Sequence, residues 1–358
     1  MTATTYDYEA LCAFATALGE SVGLPPDRAR MQSEILLEAD LMGHTTHGLA
    51  LLPGLLKAIE TGAIRAMGEP EVLSDRGSTV FWEANSLPGT WLLSRAITEA
   101  SARIRTHPVV TFVMRSMSHI GALGAYLRQA TERGLMITIM NSDPGMRTVA
   151  PAGGMEGQLA PNPLAFGYPT DGDPILIDIS TSSVANGWVR RWSAEARRLP
   201  GKWLQDADGN VTDDPATLFG NPAGTMLPLG GLELGHKGFA LSLMVDAITT
   251  GLSGAGRAAK SPSEGTPVFL QLIDPKAFGG DEAFRRETGF LAKACRSSRP
   301  RAGVAAVKMP GDTALARRRA QLEKGVELYE SIMPALTPWA DKFKITPPAP
   351  DGVRRWRV

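Results

Sequence analysis

The apolar positions of this chain keep a helical period at both ends and an extended one in the middle. Residues 8–19 (YEALCAFATALG) space their apolar side chains for one helix face and stop at Gly19. PPDRARMQSEILLEADLMG starts on prolines and stops at Gly43, which predicts a helix over 26–42. PGLLKAIETG predicts a third helix, begun at Pro53 and left at Gly62. VVTFVMRS (109–116), LMITIMN (135–141), PILIDIST (174–181) and PVFLQLIDP (267–275) are short β-rich runs bounded by turn formers, and they read as strands. GALGAYLRQATERG, between the first two, reads as a helix of about three turns. LGHKGFALSLMVDAITTGLSGAG leads through glycines into a nearly all-apolar helix, roughly 237–252, expected to be buried. Residues 314–343 return to a helical pattern.

Helices, a β-rich middle and helices again predict an α+β fold in which the two chain ends pack together. The expected division is a helical domain built from 1–75 and 309–345, and a β-rich domain over 76–308 with inserted helices. The Pro-rich, basic tail, 346–358, is expected to be loosely held.

Composition narrows the partners. The chain has 358 residues, and its 37 Lys and Arg balance 37 Asp and Glu, so no excess charge calls for nucleic acid or an anionic membrane. Cys12 and Cys295 make no disulfide framework, and a reducing cytoplasm is expected. The start, MTATTYDYEALCAF, lacks the basic and apolar pattern of a signal peptide. No apolar run approaches the ~18 residues of a bilayer span.

The standard nucleotide fingerprints are missing. GALGAY (121–126) has the wrong spacing for G-x-G-x-x-G. GGLELGHKG (230–238) holds His236 where a P-loop needs Lys, and no Ser or Thr follows. Its glycines and Lys237 either present N–H groups and an ammonium to a phosphate or serve packing alone.

Polar residues instead collect in ADLMGHTTHGLALLP (39–53), which holds two of the five histidines. His44 and His47 could be catalytic, structural, or an i, i+3 metal pair completed by His119 or Asp178 in a metal-dependent hydrolase. His119 lies between a strand end and a helix start, where ligand contacts gather. Asp178 ends an apolar strand before Ile-Ser-Thr-Ser-Ser, placed either to cap the next helix or to orient a histidine.

Taken in order, these stretches resemble the malate/L-lactate dehydrogenase family that does not use a Rossmann fold. Its relatives include ureidoglycolate dehydrogenase, sulfolactate dehydrogenase, diketogulonate reductase and piperideine-carboxylate reductase. The resemblance rests on Gly43–Gly48 (GHTTHG, against G-H-D-S-H-G), Ser116–Gly124, Val149–Gly154, Pro161–Phe166, Asp178–Gly187, Trp203–Pro215, and His236-Lys237-Gly238. It implies an NAD(P)-dependent oxidoreductase acting on a 2-hydroxy acid/2-oxo acid pair or a cyclic imine acid. It also implies a homodimer, with the cofactor on a non-Rossmann, β-rich central domain. His47 is then the proton donor, with Asp178 raising and orienting it, and Thr46 lies at the nicotinamide end. His119 joins the substrate pocket and the cofactor site. Asn162, Asp178, Ile179, Ser180, Thr181, Ser182, Ser183 and Val184 line the cofactor, as do His236, Lys237 and the turn Gly311, Asp312, Thr313.

The sequence departs from that family at one telling place. Many members carry Arg four residues after the catalytic His, and here the position is Leu51. That loss suggests a bulkier or more apolar substrate, with Leu49, Leu51 and Leu52 as the pocket wall. It also suggests the alternative of a relative that binds nucleotide without turnover. The Arg-rich stretch 190–201 reads either as a site for the 2′-phosphate of NADP or as a solvated helix face.

Overall fold

The computed structural model describes residues 2–258 and 265–355. The chain begins with strand β1 (Thr2–Tyr6) and helices α1 (Tyr8–Ser21), α2 (Pro26–Met42) and α3 (Leu52–Glu60). The Asp7 side chain caps α1 by accepting the Ala10 N–H at 2.8 Å. Gly43 closes α2 in the left-handed region, at φ 92°, where a side chain would be strained.

The middle of the chain builds a seven-stranded sheet. In chain order come β2 (Glu71–Asp75), β3 (Thr79–Glu83), α4 (Gly89–Arg103), β4 (Val109–Met117) and α5 (Gly124–Thr131). Then follow β5 (Met136–Asn141), β6 (Leu164–Tyr168) and β7 (Ile175–Ile179). A side lobe carries α6 (Asn186–Ala194), the short strands β8 (Leu204–Gln205), β9 (Val211–Thr212) and β10 (Thr225–Met226), and α7 (Gly231–Asp246). After the undescribed residues 259–264, β11 (Thr266–Ile273) returns to the large sheet, followed by α8 (Asp281–Ser297) and α9 (Asp312–Lys324). The chain closes with β12 (Val326–Leu328), α10 (Ile332–Phe343) and β13 (Gly352–Arg355).

The large sheet runs β2-β3-β4-β11-β5-β6-β7. Only β3 and β4 pair in parallel, and every other neighbour is antiparallel. This is a mixed α+β sheet, not the parallel doubly wound sheet of a Rossmann domain. Alternate residues of β4 and β11 (Val110, Phe112, Met114; Val268, Leu270, Leu272) are wholly buried, packed with the apolar faces of α4 and α5. A second core joins both chain ends: α1, α2 and α3 pack with Val326, Leu328, Ile332 and Leu336. A third, small core lies under the side lobe, around Val149, Val189, Leu204 and Met226. Glu38 of α2 ties these parts together, accepting from Arg128 of α5 at 2.7 Å and from Arg318 of α9 at 2.8 Å.

The structure corrects several expectations. Residues 314–343 are not one helix. Gly325, at φ 90°, ends α9, and Val326–Leu328 then pairs with β1 before α10 begins. The three-turn helix expected after β4 shortens to α5, of 8 residues. The Pro-rich tail is partly held, because Gly352–Arg355 pairs antiparallel with Thr2–Thr5. Its last three residues lie outside the described ones. The helix expected to be buried starts earlier, as α7, and buries only Gly235, Gly238, Ser242 and Val245. Leu232, Leu234, Leu243 and Met244 of α7 face outward, Leu232 at 61% exposure.

Candidate active site

The site begins where α2 stops. His44 N–H bonds back to Ala39 O, and His47 N–H bonds to His44 O, each at 2.8 Å, so residues 44–47 form a tight turn. Asp40, in the last turn of α2, reaches under this loop and accepts the Leu49 N–H on Oδ2 at 2.7 Å. Asp40 is wholly buried, and its Oδ1 has no hydrogen-bond partner. Burial pushes its pKa up to about 7, against smaller downward pulls from the Leu49 N–H and from Arg191. Position 48 must be glycine to admit this carboxyl group, since a Cβ there would sit 2.3 Å from it.

Above the turn opens a cleft of about 930 Å³. One wall is the turn itself, with His44, Thr46, His47, Ala50 and Leu51. His119 and the residues leading into α5 form the second, and Asn162 with Asp178, Ile179 and Ser180 form the third. α6 covers one side through Asn186, Gly187, Arg190 and Arg191, and Tyr329 to Ser331 complete the rim.

The two imidazoles predicted to matter meet here, with ring centroids 6.0 Å apart. His47 Nδ1 lies 2.8 Å from Thr46 Oγ1, which leaves Nε2 for a ligand. His119 Nδ1 accepts the Gly121 N–H at 2.9 Å, so the neutral ring carries its proton on Nε2. His119 is exposed where it lines the cleft. Desolvation by the surrounding cleft walls lowers its pKa. Burial, His119 and His44 lower His47 to about 4, outweighing the upward pull of Asp178. The expected lift of His47 by this aspartate is therefore the minor effect.

Asp178 has a different first partner. Its Oδ2 accepts the Gly124 N–H at 2.7 Å, capping the start of α5 and not the helix that follows it in sequence. A Cβ at position 124 would sit 2.9 Å from this oxygen and 3.2 Å from His44 Nε2, so aspartate and imidazole flank the same glycine. His44, His47 and His119 share the cleft, yet among the described residues no three His, Cys, Asp or Glu side chains converge as a metal-ligand set.

The other predicted residues divide by depth. Ile179 and Ser180 reach the cleft, whereas Thr181, Ser182 and Val184 are buried beneath it. Thr181 Oγ1 bonds Pro161 O, and Ser183 Oγ bonds Pro228 O, each at 2.8 Å, which fixes the loops around the site. Asn162 is wholly buried and donates to Ser242 Oγ at 2.9 Å, while its Oδ1 has no partner. His236 and Lys237 stand exposed on α7, away from the cleft lining. Gly311, Asp312 and Thr313 start α9 against the far end of β7, where Pro310 O accepts the Leu176 N–H, and they do not line the cleft. Of the three leucines expected as a pocket wall, only Leu51 faces the cleft. Leu49 and Leu52 are wholly buried in the core of the chain ends, because the turn after His47 rotates them inward.

Sequence reading singled out Arg190 and Arg191 only as part of an Arg-rich stretch, and it missed Asn186 as a cleft residue and the 329–331 rim. The α6 face had a weak signal: positions 186, 187, 190 and 191 fall on one side of a helix that directly follows the Asp178 segment.

Comparisons with known proteins agree with this architecture. The sequence signature of malate/L-lactate dehydrogenases matches residues 6–337, so the chain belongs to that family and is an oxidoreductase. It is 29% identical over 344 residues to the malate dehydrogenase of Pyrococcus horikoshii, covering 94% of each chain. It is 28% identical to the L-lactate dehydrogenase of Cupriavidus necator, covering 91% of this chain and 94% of that one. The crystal structure of delta1-piperideine-2-carboxylate reductase from Pseudomonas syringae pathovar tomato superposes with a TM-score of 0.80 at 27% identity, covering 94% and 99%. These relatives are hydroxy-acid dehydrogenases and a cyclic-imine carboxylate reductase, the chemistry expected from the sequence.

Proposed function

We propose that this protein interconverts a 2-hydroxy acid and a 2-oxo acid, or reduces a cyclic imine acid, with NAD or NADP as cofactor. The observation that carries this reading is the pairing of His47 and His119 in one cleft, His47 with a free Nε2 and His119 with a fixed tautomer. The cleft also suits a nicotinamide nucleotide. Its volume lies within the range of cofactor sites, and the orphaned Oδ1 of buried Asn162 is an acceptor awaiting a donor such as a carboxamide. Asn162, Ile179, Ser180 and Thr46 would hold that group, which when bound gives or takes a hydride.

The chain's own residues manage the proton. His119 Nε2–H donates a hydrogen bond to the substrate oxygen without having to be charged. His47 holds the transferable proton on Nε2 while Thr46 steadies Nδ1. In oxidation the neutral His47 is a ready base. In reduction it must first be protonated, and the carboxylate of an arriving acid favours that charge. Leu51 and Ala50 make the neighbouring wall apolar, which supports a bulkier, more apolar acid than malate.

A panel of 2-oxo acids and cyclic imines with NADH and NADPH, followed by nucleotide absorbance, tests the reading. Turnover of at least one acid is expected, with larger apolar side chains preferred. Absence of turnover across the panel sinks the reading, and preference for oxaloacetate sinks the substrate assignment.

A homodimer in the cytoplasm completes the proposal. Support comes from the outward apolar residues Leu232, Leu234, Leu243 and Met244 of α7 and from two unbridged cysteines. Equilibrium sedimentation should give twice the chain mass of 38.2 kDa, and a monomer mass would overturn the dimer.

A further inference from the structure

Among the described residues, two guanidinium groups line the cleft, Arg190 and Arg191, and no lysine does. Arg191 is already committed. Its Nη1 donates to Thr45 Oγ1 and its Nη2 to Thr45 O, each at 2.8 Å, and its Cζ lies 3.9 Å over the Tyr329 ring. Arg190, the next residue along, is exposed and makes no hydrogen bond or ion pair among the described residues. Carboxylates share the cleft: Glu330 stands exposed on the rim with no hydrogen bond or ion pair among the described residues, and the other three have partners. Asp178 takes the Gly124 N–H, Asp143 takes the Gly145 N–H, and Glu195 pairs with Arg197 and Tyr329.

α6 begins against the reacting end, and Arg190 lines the same cleft one turn later. Gly187, one turn earlier, packs so closely on the histidine turn that a Cβ there would meet Thr46 Cβ at 3.0 Å and His47 Cε1 at 3.5 Å. Helical side chains lean toward the helix N-terminus, so the Arg190 stem leans back over this turn. On the opposite wall, the position one helical turn after His47 is Leu51, which offers no charge. A positive group for an acid substrate must then come from α6.

We propose that Arg190 receives the carboxylate of the substrate and thereby sets the specificity of the cleft for 2-oxo and 2-hydroxy acids. This rests on the dehydrogenase reading above. A planar guanidinium with all its donors free suits a carboxylate, which it can grip through two parallel bonds. A nucleotide phosphate is the other anion with the same chemistry. The seating of Gly187, one turn earlier on α6, against Thr46 and His47 favours the substrate.

The test compares wild type, Arg190→Leu and Arg190→Lys with 4-methyl-2-oxopentanoate and its methyl ester, using NADH and NADPH. In Arg190→Leu the KM for the acid should rise about 10- to 100-fold, as loss of one charge-assisted contact implies. Its kcat should stay within about threefold, Arg190→Lys should recover part of the loss, and the ester and both nucleotides should be unaffected. An unchanged KM for the acid overturns the inference. So does an equal rise for the ester, or a loss confined to NADPH, which would place a phosphate at Arg190.

Calorimetric binding of the acid separates the two levels. If wild type binds the acid but turns nothing over, while Arg190→Leu does not bind, the carboxylate site stands and the dehydrogenase reading falls. If wild type turns over and Arg190→Leu matches it, the reverse holds. If neither protein binds the acid or turns it over, both are overturned.

Discussion

His47→Ala should lower kcat about 10²- to 10⁴-fold in both directions, the usual share of a positioned general acid or base. Nucleotide binding should change little, because His47 holds a proton and not the cofactor. Fluorescence of the cleft residue Trp188 offers a way to follow that binding. The rival donor is close at hand, since the His119 ring lies 6.0 Å away. His119→Ala should reduce kcat less, by about tenfold, because it removes a hydrogen bond to the substrate oxygen and leaves the proton source in place. The reverse ranking of the two variants would transfer the proton role to His119.

The pH profile provides a second reading of the same ring. His47 lies near 4 in the folded protein, below its ordinary value of 6.5. Its basic form is therefore present from about pH 5 upward, and kcat/KM for hydroxy-acid oxidation should hold until the pH falls close to 4. Between pH 4 and 6.5 the unfolded chain binds the extra proton and the folded one does not. The contribution of this group to stability is thus complete above 6.5 and is lost as pH falls toward 4. His47→Gln should remove both the acid limb and that share of acid destabilisation. An acid limb near 6.5 in the wild type would show a His47 far more solvated than this cleft makes it.

Much of one wall of the site was legible because it is local. GHTTHG folds within a single turn, and its glycines and hydroxyls can be read in a window of six residues. Asp178 to Ser180 was legible for the same reason, as the polar end of an apolar strand. The opposite wall was not. Arg191 meets Thr45 only when the side lobe folds over the histidine turn, a contact between residues 146 apart in sequence. Tyr329 reaches the rim because β12 pairs with β1 at the other end of the chain. No local period encodes such closure. The helix 89–103 had readable apolar spacing at Leu92, Leu93, Ala96, Ile97 and Ala100 and was overlooked all the same. The α7 error has another cause. An almost wholly apolar helix reads as buried, but sequence cannot say whether the same chain covers it, and here four of its large apolar residues remain outward.

Gly48→Ala should cost about 2–4 kcal/mol of folding stability and most of the activity, although it adds a single methyl group. The new Cβ would lie 2.3 Å from the Asp40 carboxyl carbon and Oδ1, a separation that real Cβ atoms do not reach. Something must move. Asp40 has nowhere to go, since it is wholly buried and its Oδ2 holds the Leu49 N–H. If the carboxyl shifts, Leu49 loses its partner. If the backbone shifts, His47 moves with it and its bond to Thr46 is strained. Either way the turn that aims the imidazole is lost, so kcat should fall along with the melting temperature. The cause can be isolated by a second substitution. Asp40→Ala alone should destabilise by leaving the Leu49 N–H unpaired in the core. Combined with Gly48→Ala, it opens the space the methyl needs, so the double variant should be clearly more stable than the sum of the single losses. Asp40→Asn distinguishes crowding from charge. With its pKa raised to about 7, Asp40 binds its proton more readily in the folded state, so its stabilising share is complete below pH 3.8 and is lost as pH rises from there to about 7. The Asn variant should therefore gain on the wild type at pH 8 relative to pH 5, whereas Gly48→Ala should be destabilised at both. Simple additivity in the double variant would show that Gly48 is required for its own backbone conformation and not for the carboxylate beneath it.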